Sequence, residues 1–226
     1  MIKFDKVTKI YPPNIAVLQD ITLEINEGEF VSIIGKSGAG KTTLTRLILG
    51  LEEPTYGEVY FRNKNIRIAG PSDIQKIRRS IGGIYQDYKL LPAKTVYENV
   101  AYVMEVKGSS QGEIKKEVHK VLELIGLQEK VNNFPKELSG GEQQRLAIAR
   151  ALVIHPKIII ADEPTGNLDP YNTYEVISLL EKINKAGATV ILLTHNREII
   201  NKLQKRVVTL VGGKIIRDEA EGKFII

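Results

Sequence analysis

Eight consecutive residues, Gly35, Lys36, Ser37, Gly38, Ala39, Gly40, Lys41 and Thr42, have the types and spacing of a loop that wraps a phosphate chain. Glycines let the backbone bend until successive N–H groups face one anion. A lysine at the position of Lys41 reaches the β and γ phosphates, and the Thr42 hydroxyl is suited to Mg²⁺. Thr43 follows, placed for the α phosphate. A second run, Leu138-Ser139-Gly140-Gly141-Glu142, follows a different logic. Ser139 and Glu142, three residues apart, form a capping box that opens a helix, and Gly140 and Gly141 leave its first turn bare. A helix start exposed in this way is a second anion site, suited to a γ-phosphate. One nucleotide does not need two phosphate cradles about a hundred residues apart in a small domain. Dimerisation around ATP, with each copy's second cradle serving its neighbour, is the natural hypothesis.

These groups need elements to position them. Phe30 to Ile34 reads as a buried strand before the loop, and Leu44 to Leu49 as a helix after it, stopped by Gly50. Ile158 to Ala161 reads as a second buried strand that delivers two carboxylates, Asp162 and Glu163, at its carboxyl end, where open α/β sheets place their ligands. A solvated acidic turn explains this pair less well, because Pro164 follows at once and no basic residue is adjacent. Thr189 to Thr194 brings His195 to the same sheet edge, and Ile81 to Tyr85 brings Gln86 to the end of another strand. Taken alone, a histidine at a strand end is more often structural, and a single glutamine says nothing. His119 falls on the solvent side of a helix and His155 in a turn before Pro156. Asp169-Pro170 makes an N-cap followed by proline at the first helical position.

Strand and helix signals alternate from residue 30 onward, which predicts a parallel sheet. The strand-rich start, Ile2 to Tyr60, predicts a small antiparallel lobe whose first strand, Ile2 to Ile10, lies at an edge. Tyr11 then sits beside Pro12-Pro13 on an exposed turn, where its ring either stacks on a base or packs on the core. Between Gln86 and Lys157 the chain is mostly helical. Thr95 to Glu98 is another capping box, and Ile114, Val118, Val121, Leu122 and Ile125 form an apolar stripe that ends at Gly126. Such a stripe is core packing.

With these motifs in order, the chain resembles the ATP-binding-cassette (ABC) ATPases along essentially its whole length, Leu138 to Glu142 matching their signature motif. The resemblance implies an α/β fold: a P-loop NTPase core with a mainly parallel sheet, an N-terminal antiparallel β lobe and an inserted α-helical subdomain. All of it belongs to one nucleotide-binding domain, with lobe and core at about 1–86 and 157–226 and the helical part at about 87–156. It also implies ATP and Mg²⁺ as ligands, with Asp162 holding the metal through its water shell and Glu163 polarising the attacking water. Gln86 matches the Q-loop glutamine on Mg²⁺, His195 the switch histidine on the γ-phosphate, Tyr11 the ring stacked on adenine, and Asn167-Leu168-Asp169 the D-loop that crosses a homodimer interface. Ring stacking does not discriminate between purines, so the preference for ATP over GTP rests on the family.

Three stretches resemble the cell-division members of that family: Tyr85 to Leu91, Thr95 to Val106, and Lys205 to Ala220. Lys36 and Thr42 stand where those members commonly have proline and serine. Thr42 keeps the hydroxyl and Lys36 adds a charge beside the phosphates. The implied protein sits peripherally on the cytoplasmic face of the inner membrane, bound to an FtsX-like integral membrane protein of four helices. ATP-driven closure of two copies would pull on that partner and regulate cell-wall hydrolases. Ala161 to Pro170 is shared more widely, with the ATPases of lipoprotein-release and MacB-type exporters, which is the alternative.

Composition bounds the rest. At 226 residues the chain buries one good core, or a core plus a lobe. It has no cysteine, which excludes disulfides and thiolate metal sites. No apolar run approaches the ~18 residues that a membrane helix requires, and no charged-then-apolar signal opens the chain. The net charge of +5 fits either docking beneath an anionic leaflet or a solvated surface. Lys76, Arg78 and Arg79 cluster, but 27 acidic residues are interspersed along the chain, which argues against nucleic acid as a partner.

Overall fold

Side-chain alternation shapes the first strands of the computed structural model, which describes residues 1–225. Strand β1 (Ile2–Tyr11) turns Ile2, Phe4 and Val7 inward, and β2 (Ile15–Ile25) does the same with Leu18, Ile21, Leu23 and Ile25. The chain continues through β3 (Phe30–Ile34), α1 (Lys41–Ile48), β4 (Tyr56–Phe61), β5 (Lys64–Asn65), α2 (Pro71–Arg79) and β6 (Ile81–Tyr85). Then follow α3 (Val96–Lys107), α4 (Gln111–Leu124), two single 3₁₀ turns, α5 (Gly140–Leu152), β7 (Ile158–Asp162), α6 (Pro170–Lys185), β8 (Thr189–Thr194), α7 (Arg197–Leu203), β9 (Arg206–Val211) and β10 (Lys214–Glu219). By compactness the chain divides into Met1–Arg79 with the segment from Asn184 onward, and Ser80–Ile183.

The first unit holds the antiparallel lobe, in strand order β2-β1-β4-β5. The expectation that the first strand lies at an edge is therefore corrected. Strand β1 pairs with β2 on one side and β4 on the other, from Ile2↔Ile25 and Ile2↔Phe61 onward. Pro12-Pro13 ends the strand without exposing its flank, because both prolines fall beyond its last residue. In the same unit β3 is flanked by β8 and β9, parallel to both, and β10 runs antiparallel to β9. Every residue of β3 and β8 is buried, as expected for strands covered on both faces. Arg78 donates to the carbonyls of Leu49 and Gly50 at 2.8 and 2.9 Å, closing the C-terminus of α1. That gives one member of the basic cluster a structural task.

The second unit packs α3, α4 and α5 with the parallel pair β6 and β7. Capping boxes open three of its helices, at Thr95 and Glu98, Ser110 and Glu113, and Ser139 and Glu142. The expected stripe from Ile114 to Ile125 is buried throughout. Asn99, fully buried in α3, donates to the carbonyls of Leu91, Lys94 and Thr95 and accepts from the Leu91 N–H, which fastens the segment before α3. His119 is exposed, as expected, and His155 pairs with Glu117 at 2.9 Å.

The Arg206 guanidinium ties three segments of the first unit together. It holds Asp218 of β10 through two bonds of 2.7 and 2.6 Å, Glu29 at 2.7 Å and the Glu24 carbonyl of β2 at 2.8 Å. Arg206→Ala leaves two carboxylates without their cation, and is expected to cost about 1.5–3 kcal/mol in urea unfolding. An unchanged midpoint would mean that water already satisfies both.

Candidate nucleotide-binding site

Parallel register decides which residues leave the sheet together. In the first unit Ile34 pairs with Thr194, so the next residues, Gly35 and His195, emerge side by side from β3 and β8. In the second unit Tyr85 pairs with Asp162, and Gln86 and Glu163 emerge side by side from β6 and β7. Each unit thus brings together two residues that stand 77 or more positions apart in the chain.

In the first unit the phosphate loop runs from Gly35 into α1. Gly40 precedes the helix at φ 107°, a conformation that favours glycine, and a Cβ there would stand 2.6 Å from the Leu18 side chain. Glycine also leaves α1 with no side-chain cap, and its first turn carries no acidic residue. The N–H groups of this turn and the positive end of the helix dipole are therefore available to an anion. Lys41 is buried, and its ammonium donates to the Gly35 carbonyl at 2.7 Å, which holds the charge within the loop. Thr43 is buried and Thr42 exposed. Lys36, Ser37 and Gly38 form the exposed crown of the loop, and Ala39 is buried beneath it. His195 is exposed, and Asn196 behind it caps α7 by accepting from the Glu198 and Ile199 N–H groups.

The Tyr11 ring is half-buried at the end of β1, and its hydroxyl donates to Glu52. Burial, then that carboxylate, pushes its phenol up, while a hydrogen bond with Thr43 opposes the shift. Lys9 lies 5.0 Å from the ring centroid, and Arg46 binds Glu52 at 2.7 Å. The ring is thus tethered beside the phosphate loop by an arrangement that neither sequence alternative contained.

In the second unit Glu163 has φ 47°, which is uncommon for a residue with a side chain. The turn after it is fastened by bonds from the Gly166 N–H to the Glu163 carbonyl and from the Leu168 N–H to the Thr165 carbonyl. Asp162 is half-buried beside Tyr85, whose phenol is pushed up by burial and then by the Asp162 charge. The Gln86 amide nitrogen donates to Asn167 at 3.4 Å, so its amide oxygen is the atom that it can offer to a cation. Asp169 caps α6, and the bond from the Asn172 N–H, then that from its side chain, draws the carboxyl below its usual range.

The signature run departs from its sequence reading. Ser139 does cap α5, and Glu142 bonds back to the Ser139 N–H at 2.8 Å. Yet of its two glycines only Gly140 is exposed. Gly141 is buried, so the first turn is half covered. Glu142 also pairs with Lys130 at 2.6 Å, which offsets a negative charge that would otherwise repel an anion at this helix start.

Thr42 in the first unit, and Gln86 and Asp162 in the second, each carry an oxygen donor of the kind that Mg²⁺ prefers. Among the described residues no group of three or more His, Cys, Asp or Glu could hold a metal.

Known proteins share both the sequence and the fold of this chain. The ABC transporter family profile matches residues 18–166. The cell division ATP-binding protein FtsE of Bacillus subtilis is 47% identical over 224 residues, covering 99% of this chain and 98% of that protein. The methionine import ATP-binding protein MetN of Clostridioides difficile is 44% identical over 96% of this chain and 67% of its own. Among solved structures, the dimeric post-hydrolysis state of the ATP-binding cassette MJ0796 bound to ADP and Pi superposes with a TM-score of 0.88 at 39% identity, covering 99% of this chain and all of that one.

Electrostatics at the signature helix makes a pH prediction. Lys130, then the cap, holds the Glu142 carboxyl below the usual carboxylate range. Its contribution is therefore present above the unfolded pKa and lost as pH falls through the folded one. Glu142→Gln is expected to lose up to about 1 kcal/mol at pH 7. In thermal melts the gap to the parent should close in acid. A gap that persists there would assign the loss to the cap geometry.

Proposed function

The chain belongs to the ABC transporter family and is an ATPase of FtsE type, and on that premise we propose that it is the ATP-hydrolysing subunit of an FtsX-containing membrane complex. Two copies close around ATP, the stroke changes the conformation of the FtsX-like integral membrane protein, and cell-wall hydrolysis during division is regulated through it. The observation that carries this reading is the similarity to FtsE along nearly the full length of both chains. Residues 87–156 act as the helical subdomain that faces the partner. Among the described residues no helix is long and apolar enough to cross a membrane, so association with the inner membrane on its cytoplasmic face comes through that partner.

In the chemical step, water attacks the γ-phosphate and ADP leaves. Glu163 orients the water and takes its proton, while Lys41 and His195 stabilise the charge that develops on the phosphoryl oxygens. Ser139 to Gly141 of the neighbouring copy complete that shell, and Asp169 lies at the same dimer contact. Gly35 to Thr43 carry the phosphates and Tyr11 contacts the adenine. Thr42, Gln86 and, through the water shell, Asp162 would hold Mg²⁺, which would supply charge neutralisation to the phosphates. The likeness to MetN favours a second reading in which the same chemistry drives a transporter, and the lipoprotein-release and MacB-type exporters are the transporters that the sequence suggests.

Glu163→Gln is expected to slow hydrolysis by roughly 10²–10⁴-fold and to accumulate an ATP-bound dimer, read by turnover and sedimentation. Hydrolysis at the parent rate would remove Glu163 from its role. A pull-down of this variant from solubilised membranes with ATP and Mg²⁺ should recover a four-span FtsX-like protein. Recovery of a transporter permease would move the function to transport with the chemistry intact.

A further inference from the structure

Asn172, in the first turn of α6, belongs to no motif, yet it contacts two of them. On one side its backbone N–H donates to Asp169 Oδ1 at 3.0 Å and its amide Nδ2 to Asp169 Oδ2 at 2.5 Å. On the other side its amide lies against the bare Cα of Gly141. A Cβ at residue 141 would stand 1.9 Å from the Asn172 Oδ1 and 2.3 Å from its Cγ, closer than any real contact. The same Oδ1 accepts from Arg145 at 3.5 Å, and Arg145 also binds Glu175 at 2.8 Å. The amide is thus held between a carboxylate that needs its donor and a guanidinium that needs its acceptor, an orientation that only an amide satisfies. The two signature glycines differ accordingly. A Cβ at Gly140 would meet nothing nearer than 3.4 Å, whereas Gly141 is glycine because Asn172 occupies the space of its side chain.

We infer that Asn172 is a positioning residue for ATP hydrolysis, bracketing the D-loop carboxylate Asp169 to the first turn of the signature helix. The two surfaces that one chain offers to its neighbour then move as one piece. This inference rests on the dimeric reading above. A chain whose bracket is cut still folds and still binds ATP through its phosphate loop, but presents Asp169 and Ser139 to Gly141 out of register.

The test is a double-mutant cycle on the full chain with Asn172→Ala, Gly141→Ala and the combination, reading kcat, KM for ATP and the melting temperature. Asn172→Ala is expected to keep its KM within about twofold and its melting temperature within a few degrees while kcat falls about tenfold or more. Gly141→Ala should fall about a hundredfold, and the double variant should recover about fivefold or more over it, because the amide that collides is gone. Asn172→Asp keeps the shape but loses the donor and sets two carboxylates together. Its kcat should fall as far as that of Asn172→Ala, a readout that survives if Gly141→Ala fails to fold. Turnover at the parent rate in Asn172→Ala or Asn172→Asp, or a double variant whose loss is the product of the single losses, would overturn the inference. Sedimentation of Glu163→Gln with ATP separates the two claims. A monomer there ends the dimeric reading alone, and the kcat cycle still decides whether the bracket serves hydrolysis.

Discussion

A helix that starts with neither a side-chain cap nor a carboxylate in its first turn is unusual in this molecule. In α3, α4 and α5 a threonine or serine accepts from the first turn and a glutamate answers it. In α1 the capping position is Gly40, no side chain accepts, and no carboxylate competes. Orphan amides and the positive end of the helix dipole are costly to leave unmatched, and a polyphosphate is the partner that suits them. The rest of the first unit serves that start. Leu18 of β2 closes on Gly40, the buried β3 aims the loop, and Arg78 satisfies the carbonyls at the far end of the same helix.

The second unit carries several carboxylates close to helix starts. Asp162 and Glu163 leave β7 in sequence, but the positive φ at Glu163 turns the backbone sharply between them and Pro164. At the signature helix, the Glu142 charge is consumed by the cap and by Lys130. At α6, Asp169 is held by the cap and by Asn172. Glu142 and Asp169 are therefore each balanced by local donors or a cation.

Much of the fold was legible from the chain. The strand boundaries at Phe30–Ile34, Ile81–Tyr85 and Thr189–Thr194 could be read off directly, because parallel strands covered on both faces are short, largely apolar runs. The capping boxes at Thr95 and Ser139 were equally plain, since the signal and its partner lie within four residues. The edge position of β1 was misread. Whether a strand has one neighbour or two depends on β4, which arrives more than forty residues later and leaves no mark on the β1 sequence. The Arg206 clasp was invisible for the same reason, its carboxylates lying 12 and 177 positions away.

Sequence by itself determined the family, with it ATP hydrolysis as the chemistry, and which apolar runs become strands, because these depend on residue type and local spacing. Tertiary structure alone decided what the candidate site residues lean on. It tethered the Tyr11 ring through Glu52, paired Glu142 with Lys130, and gave Gly141 its reason to be glycine in the amide of Asn172. Such contacts join residues that are distant in sequence. Their energies arise only once the chain has closed, and a polar side chain has many partners of equal chemistry among which only the fold chooses.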